Sequence, residues 1–188
     1  MFISFEREKL LNVIVYFLGE VNHCHTLKLF KLLNFLDFEH YRQTGKTVTN
    51  LDYFAFPNGP VPSSLLAEIK NPPTDLSEFI SVNNIQNVVG ELERREFVAK
   101  KKFDSSYYTK RELEIMARLA LFFRDLKAEN MSEFSHDPQM PWRKIYRKGE
   151  GNGKPIPLSL AFTSLPIVKD RPTIDARECE YYKNAVLE

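Results

Sequence analysis

The chain has 188 residues, 43% of them hydrophobic and 27% charged, with a formal net charge of +1. This composition, with fifteen Phe and eight Tyr, excludes disorder of the whole chain, and the near-neutral balance excludes global electrostatic steering onto nucleic acid or an anionic surface. Two cysteines, Cys24 and Cys179, are too few for a secreted disulfide framework and are read as free thiols in a reducing cytoplasm. Met1 to Arg7 lacks the pattern of a signal peptide, and Val13 to Leu18 is too short to span a bilayer.

Ser4 is placed to cap a first helix, with Glu6 and Glu8 near its positive end and Leu10, Val13, Ile14, Phe17, Leu18 and Val21 at helical spacing. Asn22 to His25 forms a turn. A second helix runs from Thr26 to about Thr44, where Gly45 stops it. The short connection predicts an antiparallel helix pair. Asp52 to Phe56 is extended in character, and Asn58-Gly59-Pro60-Val61-Pro62 is expected to turn. A short helix follows from Ser63 or Ser64 to Ile69, ended by Asn71-Pro72-Pro73.

Val82, Ile85, Val88, Val89 and Leu92 mark a further helix closing near Glu96. Phe97 to Lys100 and Ser106 to Tyr108 are then expected to pair as a hairpin. A long helix is predicted from Lys110 to about Asn130, and after it six prolines break the chain into a wrapping segment with a weak helix over 173–186. The fold class is mainly α (α+β): a compact helical bundle with one small β-hairpin or sheet. Its core is expected to include Phe17, Phe30, Leu33, Leu92, Leu119 and Phe123.

No segment carries a strong chemical motif. His23-Cys24-His25 lies on one turn without a second ligand pair, so metal binding is not expected. Asp37 and His40 share a helix face, where a surface hydrogen bond is commoner than acid–base catalysis. Gly149 to Lys154 fails the phosphate-loop spacing, because Lys148 and Pro155 stand where Gly and Ser or Thr are needed. Ser132 to Asp137 contains Ser, His and Asp, but consecutive residues do not make a triad; a capped turn is expected there. Two local patches are basic: residues 94–110 hold six bases and two acids, and residues 141–154 hold five bases and one acid. Lys100 to Lys102 on a wing-like hairpin would suit phosphate contacts, which makes a winged-helix-like nucleic-acid-binding regulator the alternative function. A lysine-guarded edge strand is the plainer account of the same residues.

Three segments taken in order point further. They are Lys28-Leu29-Phe30-Lys31-Leu32-Leu33-Asn34-Phe35, Phe54 to Val61 with its Gly59-Pro60-Val61, and Ser132 to Trp142 with Ser135-His136 and Pro141-Trp142. Together they resemble the Panacea domain of SocA-like antitoxins over roughly residues 8–160. Asn34-Phe35 stands where Tyr is usual, and Phe56 stands near the usual Trp. The resemblance implies a cytoplasmic, non-enzymatic antitoxin of a toxin–antitoxin or phage-defence pair, which neutralises a cognate toxin by direct contact without a cofactor, metal or nucleotide. Its motif positions here are Lys28, Lys31, Gly59, Pro60, Val61, Ser135, His136 and Trp142. Residues 1–160 are read as the antitoxin domain and 161–188 as an extension that packs on it or meets a partner. Interface hot spots favour Trp, Tyr and Arg. Trp142, Arg143, Tyr146 and Arg147, with residues 140–165 and Tyr181 and Tyr182, are therefore the expected partner surface.

Overall fold

A computed structural model of the chain describes residues 5–89, 92–164 and 166. Ser4, Cys179, Tyr181, Tyr182 and the weak helix over 173–186 lie outside the described residues. The architecture is mainly α with a small β part.

Helix α1 (Glu6–Glu20) buries Leu10, Val13, Ile14 and Phe17 as the periodicity predicts, with Glu6 and Glu8 in its first turn. Helix α2 (Thr26–Thr44) ends at Gly45, whose φ of 70° is the left-handed cap that glycine adopts without a β-carbon penalty. α2 is buried on every side, from Lys28 through Gln43. Its neighbours are α1, the hairpins, the later helices and the segment around Leu158. Burying the polar residues of such a helix is costly without partners, and most of them find one, Asn34 Nδ2 and Gln43 Oε1 being exceptions. Arg42 and Gln43 donate to Glu39. Asp37 accepts from the Val48 and Thr49 amides at 2.8 Å each, from the Tyr53 hydroxyl at 2.7 Å and from the Thr49 hydroxyl. Burial pushes the Asp37 carboxyl upward, and these four donors draw it back.

Strands β1 (Tyr53–Phe56) and β2 (Gly59–Pro62) form a tight antiparallel hairpin, Phe56 opposite Gly59 and Tyr53 opposite Pro62. The turn is thus Pro57-Asn58, and Gly59-Pro60-Val61 is strand instead of the expected turn. Two prolines fit in β2 because, among the described residues, β1 is its one strand neighbour and its other side packs on α2. The loop 153–156 continues β1 on its free side: Gly153 donates to Ala55, Ala55 to Lys154 and Ile156 to Tyr53. Helix α3 (Ser63–Lys70) stands as predicted, and α4 (Thr74–Phe79) follows the two prolines.

The largest correction concerns residues 80–108. Strands β3 (Ile80–Val89) and β4 (Leu92–Ala99) make the long hairpin, and they occupy the residues expected to form the helix closing near Glu96. Phe97 pairs with Val82, while Ser105–Tyr107 is a 3-10 turn, so the expected hairpin over 97–108 does not form. A register irregularity between Asn84 and Val88 explains the misreading. It breaks the two-residue alternation and leaves apolar residues three apart, which imitates a helix. The β-branched residues favour the strand. Leu92 therefore lies in β4. Arg95 ties that strand down, its amide to the Thr26 hydroxyl at 3.2 Å and its guanidinium to the Ile69 carbonyl at 2.8 Å.

The second correction is the helix predicted from 110 to 130. It is two helices, α5 (Lys110–Phe123), opened by a Thr109/Glu112 capping box, and α6 (Ala128–His136). A short helix α7 (Pro141–Tyr146) starts on proline, which is suited to a first turn. The core includes Phe17, Phe30, Leu33, Leu119 and Phe123, as expected.

Candidate functional site: a motif cluster beneath an aromatic column

The three motif segments, far apart in sequence, meet at one end of α2. Lys28 and Lys31 are one turn apart on α2, and both are buried. The Lys28 ammonium donates to the carbonyls of Asn22, Arg124 and Leu126. Two of these lie in the turn that follows α5, where carbonyls lose their helical partners. This cross-helix cap accounts for the break between α5 and α6, which neither glycine nor proline announces. One turn later Lys31 reaches the start of α6, donating to the Ala128 carbonyl at 3.0 Å and to the Ser132 hydroxyl at 2.6 Å. Burial pulls the Lys31 ammonium down to about 8, against the opposing pull of Glu129.

Gly59 of β2 lies directly over the Lys31 stem, with φ of +130°. The other side of the cluster is α6. Ser135 is buried and donates to the Ser132 carbonyl at 3.1 Å. His136 is exposed on the surface, and burial of part of its ring, with Lys31 and Arg143 nearby, lowers its proton affinity. Its ring stacks on Trp142 at 4.2 Å, and Trp142 stacks on Tyr146 at 4.7 Å, both within 17° of parallel. The Trp142 indole donates to the Phe56 carbonyl at 2.9 Å, locking α7 to the β1–β2 turn.

This geometry sorts the expected residues. Lys28, Lys31, Gly59, Pro60, Val61 and Ser135 are buried and hold the frame. Trp142 is 3% exposed and closes the core. Of the expected partner residues, Arg143 and Tyr146 are half-buried and Arg147 is exposed, so these three and His136 reach the surface. Ser132 and the Phe56 carbonyl are contributors not singled out from the sequence. The signal for Ser132 was available: a lysine on a buried helix must find acceptors.

The other candidates resolve as structure. Asp37 and His40 do not meet, since His40 Nδ1 pairs with the Lys46 carbonyl at 2.7 Å. Cys24 is a buried free thiol, pushed up to about 12 by burial. Among the described residues no group of three or more His, Cys, Asp or Glu is placed to hold a metal ion. Ser132 to His136 is helical instead of the expected capped turn, and Asp137 turns to the Gln139 amide. In the Gly149 to Lys154 loop, Gly151 is packed against the Ile145 carbonyl, where a β-carbon would have no room. Lys100 reaches the Ser77 carbonyl, and Lys101 lies over Phe79 beside Glu78. The wing reading placed a helix up to Glu96 before a hairpin over 97–108, and in the structure residues 80–89 and 92–99 form the hairpin instead. Among the described residues no helix is long and apolar enough to cross a membrane.

The family model described as Antitoxin SocA-like, Panacea domain, matches residues 29–143. No curated protein and no solved structure matches the chain.

Proposed function

The chain belongs to the family of SocA-like antitoxins with a Panacea domain, and from that premise we propose that it neutralises a toxin protein by binding it directly through the α6–α7 face. On this reading it acts in the cytoplasm, as a binding module and not an enzyme, and needs no metal or nucleotide. The supporting observation is the column His136–Trp142–Tyr146, whose inner ring is fixed by a hydrogen bond to the Phe56 carbonyl and whose outer rings lie beside Arg143 and Arg147. A rigid aromatic centre flanked by arginines is the composition of binding hot spots, because little side-chain entropy is lost when a partner covers it. The buried lysines serve that surface by fixing where α6 begins.

The test is co-expression with the protein encoded by the neighbouring gene. Growth rescue together with co-purification supports the proposal. A neighbour that is harmless alone, or a rescue without any complex, removes it.

A further inference from the structure

The loop that follows α7 has a backbone that its residue types do not favour. Arg147 (φ 44°) and Lys148 (φ 60°) both adopt the left-handed region, and Gly149 follows at φ 111°. A side chain with a β-carbon is strained there, whereas glycine is not. The packing around the loop holds the strain in place. The Arg147 amide donates to the Arg143 carbonyl, Gly151 donates to the Tyr146 carbonyl at 3.1 Å, and Gly153 and Lys154 both pair with Ala55 of β1. Strained backbone of this kind gathers at binding elements, where side chains must be aimed.

What this loop aims is positive charge. Arg147, Lys148 and Lys154 are exposed, and Arg143 is half-buried one turn earlier. Elsewhere Arg7, Lys9, Arg42, Lys101 and Arg124 each hold an acidic partner. Among the described residues no acid is paired with Arg143, Arg147, Lys148 or Lys154. Arg147 Nε donates to the Lys144 carbonyl at 3.0 Å, which fixes the guanidinium and leaves its two terminal nitrogens for an acceptor. Such a planar fork matches a carboxylate end-on. A helix C-terminus favours bases, but that preference gives no reason for two successive left-handed ones. Glu150 interrupts the run of bases and is itself exposed, and the net charge of +1 supplies no field to draw in a phosphate backbone. Residues 147–154 lie beyond the stretch 29–143 that the family model matches, so the family assignment does not supply this element.

We propose that the loop is a clamp for an acidic segment of the partner protein, whose carboxylates are taken by Arg143, Arg147 and Lys148 beside the aromatic column. The clamp rests on the reading that the α6–α7 face binds a toxin, and it states what chemistry that toxin presents there.

Titration calorimetry of the full chain with the protein encoded by the neighbouring gene, at low and high salt, tests this. The complex should weaken about tenfold in high salt, because exposed charges are screened. Lys148→Gly should weaken it severalfold while melting at or above the wild-type temperature, since the charge and the strain leave together. Lys148→Arg should bind like the wild type, and Glu150→Lys should bind more tightly. Tyr146→Ala reads the aromatic column separately. If Tyr146→Ala destroys binding while salt and the changes at Lys148 and Glu150 leave it unaltered, the α6–α7 reading stands and the clamp is overturned. If none of these changes matters, or no complex forms, both fall. A Lys148→Gly chain that melts below the wild type also overturns the clamp, because the turn then holds no strain. So does duplex DNA that binds the wild type and displaces the partner, which assigns the bases to phosphate.

Discussion

The side chain of Lys31 runs beneath Gly59 so closely that a β-carbon on Gly59 would stand 2.9 Å from Lys31 Cε. The lysine end cannot swing away cheaply, because its ammonium is held by the Ala128 carbonyl and the Ser132 hydroxyl. Two motif positions from different segments thus constrain each other. Gly59→Ala is expected to cost about 1–3 kcal/mol, from the positive φ and from displacement of the lysine. Urea unfolding should show that cost shrinking in a Lys31→Ala background, where only the backbone term remains. Equal costs in both backgrounds would place the penalty in φ alone and sever the coupling.

The depressed proton affinity of Lys31 sets a pH dependence. Its folded value is about 8 against 10.5 for the free side chain. Between those values the unfolded chain holds a proton that the folded chain has released, so stability rises with pH across that window. Below about pH 8 the full cost of burying the charge is present. Relative to Lys31→Met, the wild type should therefore gain up to roughly 3 kcal/mol from pH 7 to the upper end of the window. Chemical denaturation of both proteins at several pH values measures the difference. A constant difference would mean that Lys31 titrates in the fold as it does in water.

Asp37 is another buried carboxyl group whose removal should be felt. It holds the loop after α2 through two amides and two hydroxyls. Asp37→Ala leaves those donors buried without an acceptor, and is expected to cost more than about 3 kcal/mol. Hydrogen exchange should show the Val48 and Thr49 amides losing protection. If both amides stay protected, the loop is fixed by other contacts and the carboxylate is incidental.

These residues also show what the sequence made legible. α2 and α3 are legible because apolar spacing agrees with the glycine or proline stops, and α1 because its apolar spacing runs up to the Asn22–His25 turn. The family was readable because three short segments kept their order, although their spatial meeting was not. The 80–99 hairpin was misread because the irregularity between Asn84 and Val88 puts strand residues at helix-like intervals. The break between α5 and α6 was invisible because its cause, the Lys28 ammonium, lies almost a hundred residues away. The burial of Trp142 rests on a hydrogen bond to a carbonyl 86 residues distant. Local sequence carries propensity and caps, whereas long-range caps and stacked rings are set by tertiary packing.

The α6–α7 face gives the prediction that separates framework from binding surface. Arg147 is exposed, Arg143 is half-buried, and neither arginine belongs to the hydrogen-bonded core of the column. Reversing both, in Arg143→Glu with Arg147→Glu, should leave circular dichroism unchanged, since surface substitutions usually shift stability by no more than about 0.5 kcal/mol. Toxin rescue should weaken, because a rim charge of the wrong sign slows association and repels a complementary partner. Trp142→Ala should behave in the opposite way. It empties a site that is 3% exposed, removes the central ring of the column and leaves the Phe56 carbonyl without its donor. Its expected cost is about 3–5 kcal/mol of stability, read as a lowered melting temperature whether or not the toxin is present. Full rescue by the arginine double mutant would move the toxin interface away from α7. A Trp142→Ala protein that melts like the wild type yet fails to bind would make the indole itself the contact, and its burial a feature of the free protein alone.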